Sequence, residues 1–345
     1  MNTMTLTLAS RWRFSYLMKM SFLLVILIVG WLGSLILASN FNLSLNDVWQ
    51  LLNDQMGNEI HQHIIYSIRM PRAFVAMFAG MGLAIAGLLM QSITRNPLAS
   101  PSIFGVSAGA AFAFAFASTG LLPWLSGVPI LIITMSGALI SGVMVFFLAG
   151  LHQNRINPIR VVLAGVALNF LFISLTRAAV IFADEHAYGV MYWLTGSVAN
   201  VGWSDVTLLL PTVFFGFVLS MYLSFQLNLL RLGEAMMQSV GGKLWQVRVL
   251  SSIVIVLLIA ACVSVSGPIG FVGLMVPHVA RAWVGHDIRF LMPMTLLMGG
   301  NLVLYADIGS RYINLGQENP VGIVTSLFGA LFFLVLTKQQ MRSQL

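Results

Sequence analysis

The sequence predicts an all-α integral membrane protein of about ten transmembrane helices, short or broken helices among them, and three observations carry that fold class. Of its 345 residues, 59% are hydrophobic and only 8% are charged, whereas soluble domains hold about 25% charged residues. Apolar runs of roughly 20 residues recur along the whole chain, each long enough to cross a hydrocarbon layer about 30 Å thick as a helix. The basic residues gather between alternate runs, as loops on one side of a membrane do. No stretch between the runs has room for a separate soluble domain, so 1–345 reads as one transmembrane domain.

The first run, 20–38, follows Arg11, Arg13 and Lys19. It is longer than the apolar region of a secretory signal and no small-x-small cleavage site follows it, so an uncleaved first span is expected. Further spans are expected near 64–91, 103–119, 128–150, 160–182, 205–226, 248–266, 272–284, 290–306 and 321–337. The run at 272–284 is short, preceded by Gly267-Pro268 and interrupted by Pro277, which argues against a plain full-length helix. Such a span must be shielded by its neighbours, because lipid cannot satisfy freed backbone groups. Gly82/Ala86 and Gly105/Gly109 stand one helical turn apart, a spacing of small residues that lets helix backbones approach closely.

Ten spans put both termini on one side. With that side cytoplasmic, Arg11, Arg13, Lys19, Arg95, Arg155, Arg160, Arg231, Lys243, Arg248, Arg281, Arg289, Lys338 and Arg342 lie inside, thirteen of the seventeen basic residues. That is the positive-inside distribution. Of ten acidic residues only Glu234 and Asp287 fall inside. The basic residues form no patch, so the net charge of +7 reports topology rather than a nucleic-acid partner.

Catalytic and metal chemistry find little to work with. The single cysteine, Cys262, excludes an intramolecular disulfide and a cysteine-rich metal cluster. His61-Gln62-His63 and Asp184-Glu185-His186 read as solvated loops without a full ligand set. Gly105-Val106-Ser107-Ala108-Gly109 matches a nucleophile pattern, but that motif needs a strand-to-helix elbow and this one falls in a membrane helix. Secondary carriers place ionisable residues at mid-depth, whereas here Asp205 and Asp307 lie near span ends and Arg177 towards the outer end of the fifth span. Energy therefore enters from another subunit. The chain has no nucleotide site of its own, since Gly242-Lys243 is followed by Leu244 and Met237 replaces the first glycine of a Walker motif. The long polar segment 226–248 is where a partner would dock.

The run Gly267-Pro268-Ile269-Gly270-Phe271-Val272-Gly273-Leu274-Met275-Val276-Pro277-His278-Val279-Ala280-Arg281 joins two spans with a glycine and proline pattern that lipid alone does not require. Together with Arg69-Met70-Pro71-Arg72 and Arg95-Asn96-Pro97-Leu98-Ala99-Ser100-Pro101, it resembles the FecCD-type permease subunits of ATP-binding-cassette importers for iron-siderophores, haem and cobalamin, from about Arg69 to Lys338. The resemblance implies a multi-pass permease of the bacterial inner membrane, both termini cytoplasmic, built from two inverted halves over roughly 64–182 and 248–337. No repeat is visible in the sequence itself. It also implies a second permease, identical or homologous, two ATPase subunits that hold the ATP and Mg, a periplasmic substrate-binding protein, and no cofactor or covalent chemistry on this chain. Trp193-Leu194-Thr195-Gly196-Ser197 looks more like the ferric-siderophore branch than the cobalamin branch.

Site residues follow from the same resemblance. Leu232, Gly233, Glu234 and Gly241 match the coupling segment that sits in a groove of the ATPase, with departures at Ala235, where a second acid is common, and Gln238, where a base is common. Arg69, Arg72 and Arg311 match outward arginines that pair with glutamates of the binding protein, a use that suits the planar guanidinium fork. Asn96-Pro97-Leu98 and Asn157-Pro158 are candidates for the inner gate, with proline fixing each turn and asparagine able to cap the next helix. Asn169, Ser174 and Thr176 are candidates for the pathway wall.

Overall fold

A computed structural model describes every residue except 1–2, 38–42, 54–58, 101–104, 126, 151–157, 184–185, 314–318 and 343–345. The described residues form fourteen α-helices and no strand: α1 (Thr3–Ile36), α2 (Leu45–Leu52), α3 (Glu59–His63), α4 (Met70–Thr94), α5 (Val106–Ser118), α6 (Ile130–Leu148), α7 (Pro158–Phe182), α8 (Ala187–Leu194), α9 (Trp203–Arg231), α10 (Glu234–Ser239), α11 (Leu244–Ser266), α12 (Val272–Val284), α13 (Ile288–Ile313) and α14 (Val321–Arg342). A widened turn over Ile64–Arg69 joins α3 to α4. Eight of the helices are long and apolar enough to cross a membrane. Helices α5 and α12 add two short members of 13 residues each, about 20 Å at the α-helical rise and so shorter than the hydrocarbon layer.

The short helix at 272–284 begins and ends where the sequence suggested, but it is continuous through Pro277. Its brevity comes from its ends. Phe271 takes a left-handed backbone (φ 65°) ahead of the first turn, and Gly285 (φ 81°) closes the last. The loop before it is shielded by backbone bonds rather than by lipid. Gly267 N–H donates to Val263 O at 2.8 Å, Ser197 N–H to Ser266 O at 2.8 Å, and Gly322 N–H to Gly196 O at 2.9 Å. The Gly267-Pro268 run therefore folds into a knot with the turn after α8 and the start of α14.

The order of lengths repeats. Helices α4 to α7 run long, short, long, long, with 25, 13, 19 and 25 residues, and α11 to α14 run 23, 13, 26 and 22. Each 13-residue helix starts after a left-handed residue, Gly105 or Phe271. Four membrane-crossing elements lie between α4 and α11, so the two repeats cross in opposite senses. They also pack reciprocally, α4 against α12 and α13, and α11 against α5 and α6.

Helix α4 is the centre of the bundle, with 83% of its most apolar stretch buried. Small residues make that possible. A Cβ on Gly80 would lie 2.2 Å from Gly299 O on α13, and one on Gly87 would lie 2.0 Å from Gly273 O on α12. The small positions singled out from the sequence make comparable contacts, Gly82 with Cys262 on α11 and Gly109 with Gly137 and Ser141 on α6. The periphery is the reverse, with Phe22, Phe147, Phe170, Phe215 and Leu334 pointing outward from α1, α6, α7, α9 and α14.

Three segments differ from expectation. The 226–248 segment is not one long connector, because α9 continues to Arg231 and α11 starts at Leu244, leaving 232–243 around α10. Helix α13 extends through Asp307 and Arg311, which places both inside the last turns of a packed helix instead of in a following loop. His61 and His63 lie on α3 rather than in a loop, with His61 Nδ1 at 3.6 Å from Asp47 Oδ1; Asp184 and Glu185 lie outside the described residues.

Candidate functional site

Polar chemistry is concentrated at the two ends of the apolar bundle. At one end, Asp307 is fully buried between Arg72 at the start of α4 and Arg311 one turn further along α13. Arg72 donates through Nε and Nη2 to Asp307 Oδ1 at 3.0 and 2.9 Å, and Arg311 Nη2 donates to Asp307 Oδ2 at 2.7 Å. Arg311 also donates to the Ser34 carbonyl at 3.0 Å and to Ser34 Oγ at 2.6 Å, which ties in α1. Arg69, half-buried, donates to Leu35 O at 2.9 Å and to Leu37 O at 3.2 Å.

Of the three arginines expected to face a partner, Arg72 and Arg311 are buried and paired within this chain. The extension of α13 brings Asp307 and Arg311 to i, i+4 spacing against α4, and a buried charge needs its partner close at hand. Arg69 alone keeps part of its side chain at the surface.

At the other end, α10 is a single turn and a half held by a buried Met237 and by charge. Glu234 Oε1 accepts from Arg248 Nη2 at 2.7 Å and from Arg95 Nη2 at 3.3 Å, joining α10 to α11 and to the end of α4. Gly233 (φ 119°) and Gly241 (φ 80°) bracket the helix with backbones that L side chains avoid, and neither has any atom within contact distance of an added Cβ. Their glycines answer to conformation, not to crowding. Leu232 before α10, Met236 on it and Val240 at its end are 68%, 49% and 55% exposed, an apolar set at the surface of this end. Arg95, which ends α4 in a left-handed conformation (φ 52°), directs its guanidinium at the same helix.

The gate and wall candidates are dispersed. Asn96 Oδ1 accepts from Leu98 N–H at 3.0 Å, while Ala99 N–H donates to Asn96 O at 3.1 Å. Asn96 thus closes its own turn and does not cap α5, whose N-terminal flank is Gly105. Pro97 lies exposed in that turn. Pro158 is the first residue of α7, where its missing N–H costs nothing; Asn157 lies outside the described residues. On α7, Asn169 is half-buried, Ser174 donates to Phe170 O at 2.9 Å, and Thr176 donates to Phe172 O at 2.7 Å. Both hydroxyls are engaged by their own helix.

Sequence reasoning had placed Glu234 in the coupling segment without its bridge to Arg248, and had named Asp307 without Arg72 as its partner. No local signal could pair residues 235 positions apart in the chain. Asp205 proves to be a helix start, its Oδ2 accepting from Gly202 N–H at 2.8 Å ahead of α9.

An all-helical bundle of long and half-length membrane helices in two inverted repeats, with its polar residues at the ends, defines a multi-pass membrane permease. The chain belongs to the FecCD transport family, whose model matches residues 24–339. It is 36% identical over 315 residues to the Fe(3+) dicitrate transport system permease protein FecC of Escherichia coli, covering 91% of this chain and 95% of that protein. It is 38% identical over 331 residues to the Fe(3+)-citrate import system permease protein YfmD of Bacillus subtilis, covering 96% of this chain and 97% of that protein. Among solved structures, an ABC transporter assigned to the metal-chelate type, in an inward-facing conformation, superposes with a TM-score of 0.81 at 29% identity, covering 93% of this chain and 98% of that one.

Proposed function

We propose that the chain is the membrane permease of an ATP-driven importer that carries ferric chelates of the citrate and siderophore class across the bacterial inner membrane. The family membership and the ferric-citrate relatives support the substrate class. The observation that carries the coupling is the exposed apolar set Leu232, Met236 and Val240 on and beside α10, which Glu234 pins to Arg248. An apolar set exposed on and beside a braced helix suits a groove in another protein. Two ATPase subunits, which bind the ATP and Mg, would meet α10 of this chain and of a second permease, identical or homologous. Both termini are then cytoplasmic, since Arg231, Lys243 and Arg281 share that end.

The opposite end, with Arg69 at its rim, would receive the periplasmic binding protein that delivers the chelate. Arg72 and Arg311 would serve there by holding the rim in shape through Asp307. The pathway would run beside α7, with the Asn96-Pro97-Leu98 turn and Asn157-Pro158 towards its inner mouth and Asn169 and Ser174 on its wall. No covalent chemistry is assigned to this chain.

The test is reconstitution. The permease, co-expressed with candidate ATPase and binding-protein subunits from the same genome, should accumulate ferric citrate in proteoliposomes only with ATP and the binding protein. Uptake driven by a proton gradient without ATP would overturn the reading in favour of a secondary carrier. ATP-driven uptake of haem or cobalamin in place of ferric chelates would keep the mechanism and replace the substrate.

A further inference from the structure

At the end that carries α10, a cavity of about 260 Å³ opens between α4, α9, α12 and α13. Arg95, Arg231, Arg281 and His286 line it beside Gln91 and Ser92, and no carboxylate is among its lining residues. The acids of this end pair with Arg95 at the cavity rim and with side chains outside the cavity. Glu234 lies between Arg248 and Arg95, and Asp287 accepts from Arg289 and Asn228. Within the cavity wall, Arg281 Nη2 donates to Gln91 Oε1 and Arg231 Nη1 to the carbonyl of His286. Arg281 Nη1 is buried and has no hydrogen-bond partner among the described residues.

A buried guanidinium N–H left unmade is costly, and Arg231 and Arg281, which have no carboxylate partner in the cavity wall, repel one another. An oxyanion would relieve both. Arginine forks match the paired oxygens of a phosphate in geometry as well as charge. With a liquid water occupying about 30 Å³, the cavity has room for a phosphate group and several waters. His286 is held below the ordinary imidazole range by burial and by the charges of Arg231 and Arg281, so near neutrality it adds a neutral ring to the rim.

We propose that this cavity binds a phosphate-type oxyanion, supplied by free inorganic phosphate or by the headgroup of an anionic phospholipid. The site is separate from the transported chelate and does not rest on the transport reading.

The test uses the purified full-length permease in neutral detergent at low ionic strength. Thermal unfolding is followed against inorganic phosphate, with chloride at matched ionic strength as the blank. A second arm follows the same unfolding in phosphatidylcholine nanodiscs with increasing phosphatidylglycerol. A saturable rise in Tm is expected with at least one probe, and the probe that gives it identifies the source. The half-saturating concentration should rise about tenfold in Arg281→Gln and in Arg231→Gln, the loss of one charge-assisted contact. It should stay unchanged in Arg289→Gln, whose exposed side chain pairs with Asp287 outside the cavity. Should Arg281→Gln fail to fold for want of its Gln91 contact, Arg231→Gln and His286→Ala read the same cavity from its exposed rim. Absence of any saturable rise over chloride with both probes, or a rise unaltered in every cavity variant, would overturn the proposal.

Discussion

Asp307 accepts hydrogen bonds from Arg72, on a helix 235 residues earlier in the chain, and from Arg311, its own neighbour four residues on. One buried carboxylate thus holds two buried guanidiniums and links the start of α4 to the end of α13. Removing the shared partner strands both charges, which for a buried pair costs about 3–5 kcal/mol. Asp307→Ala is expected to lower the detergent melting temperature sharply and reduce membrane yield. Arg72→Glu should do the same by placing a second carboxylate beside the first. Arg69→Glu should leave folding intact and weaken only association of the binding protein, measured by pull-down at rising salt. A normally folded Arg72→Glu permease would show that the buried triad does not hold this end together.

Helix α10, proposed to meet the ATPase, offers a cleaner separation of fold from partner. Leu232→Asp and Met236→Asp alter exposed side chains and should leave the melting temperature within a degree or so of wild type. Co-purification of the ATPase and chelate-stimulated hydrolysis should fall together. Normal stimulated hydrolysis in both variants would remove α10 from the transmission.

Gly233→Ala and Gly241→Ala test conformation alone, because there is open space around both positions. The expected cost is about 1–2 kcal/mol of left-handed strain for each, read as a shift in melting temperature. Chelate-stimulated hydrolysis should decline while basal permease assembly persists. Wild-type melting and stimulation in both alanine variants would mean that the helix tolerates another entry and exit.

Asp287, in the connection between α12 and α13, is held down to about 2, chiefly by the Arg289 hydrogen bond and further by Asn228. A carboxyl depressed in the folded state contributes stability above its unfolded value near 4, and loses it as pH falls through the folded value. Asp287→Asn should therefore lower the melting temperature at pH 7. The gap to wild type should close between about pH 4 and pH 2. A gap that persists at the acid limit would assign the effect to packing instead of charge.

Close helix contact sets another limit. Gly87→Val would place side-chain atoms where Gly273 O now lies, and no rotamer relieves a clash at Cβ. Loss of the folded permease is expected, against mild effects for a valine at Gly127, which has open space around it. A stable, assembled Gly87→Val permease would contradict the α4–α12 crossing.

Much of this architecture was legible because lipid imposes a simple rule. Long apolar runs became helices, although α1 begins well ahead of its apolar run at Thr3 and α13 runs on to Ile313, and even the short 272–284 element was marked by Gly267-Pro268. What local patterning could not supply was depth. Asp307 and Arg311 look like a solvated span end in sequence, yet the continuation of α13 and the arrival of Arg72 bury them. Likewise Asn96 reads as a cap, but nine residues separate it from α5 and its carboxamide turns back on Leu98. The glycines at 233 and 241 mark in the sequence where α10 begins and ends, while the Glu234–Arg248 bridge, made across a turn of unpredicted length, was not legible.

The backbone contact between Gly80 and Gly299 has a mechanical meaning. Where two helices touch through main chain there are no side chains to repack, so neither can slide or roll without the other. Helices α4 and α13, further clamped by Arg72 and Asp307, behave as one strut spanning the molecule. Helix α7 makes only slight contact with that strut and packs mainly on α5 and α6. Helix α7 is thus only loosely tied to that strut, and any rearrangement of the bundle meets less resistance at α7 than at the α4–α13 seam.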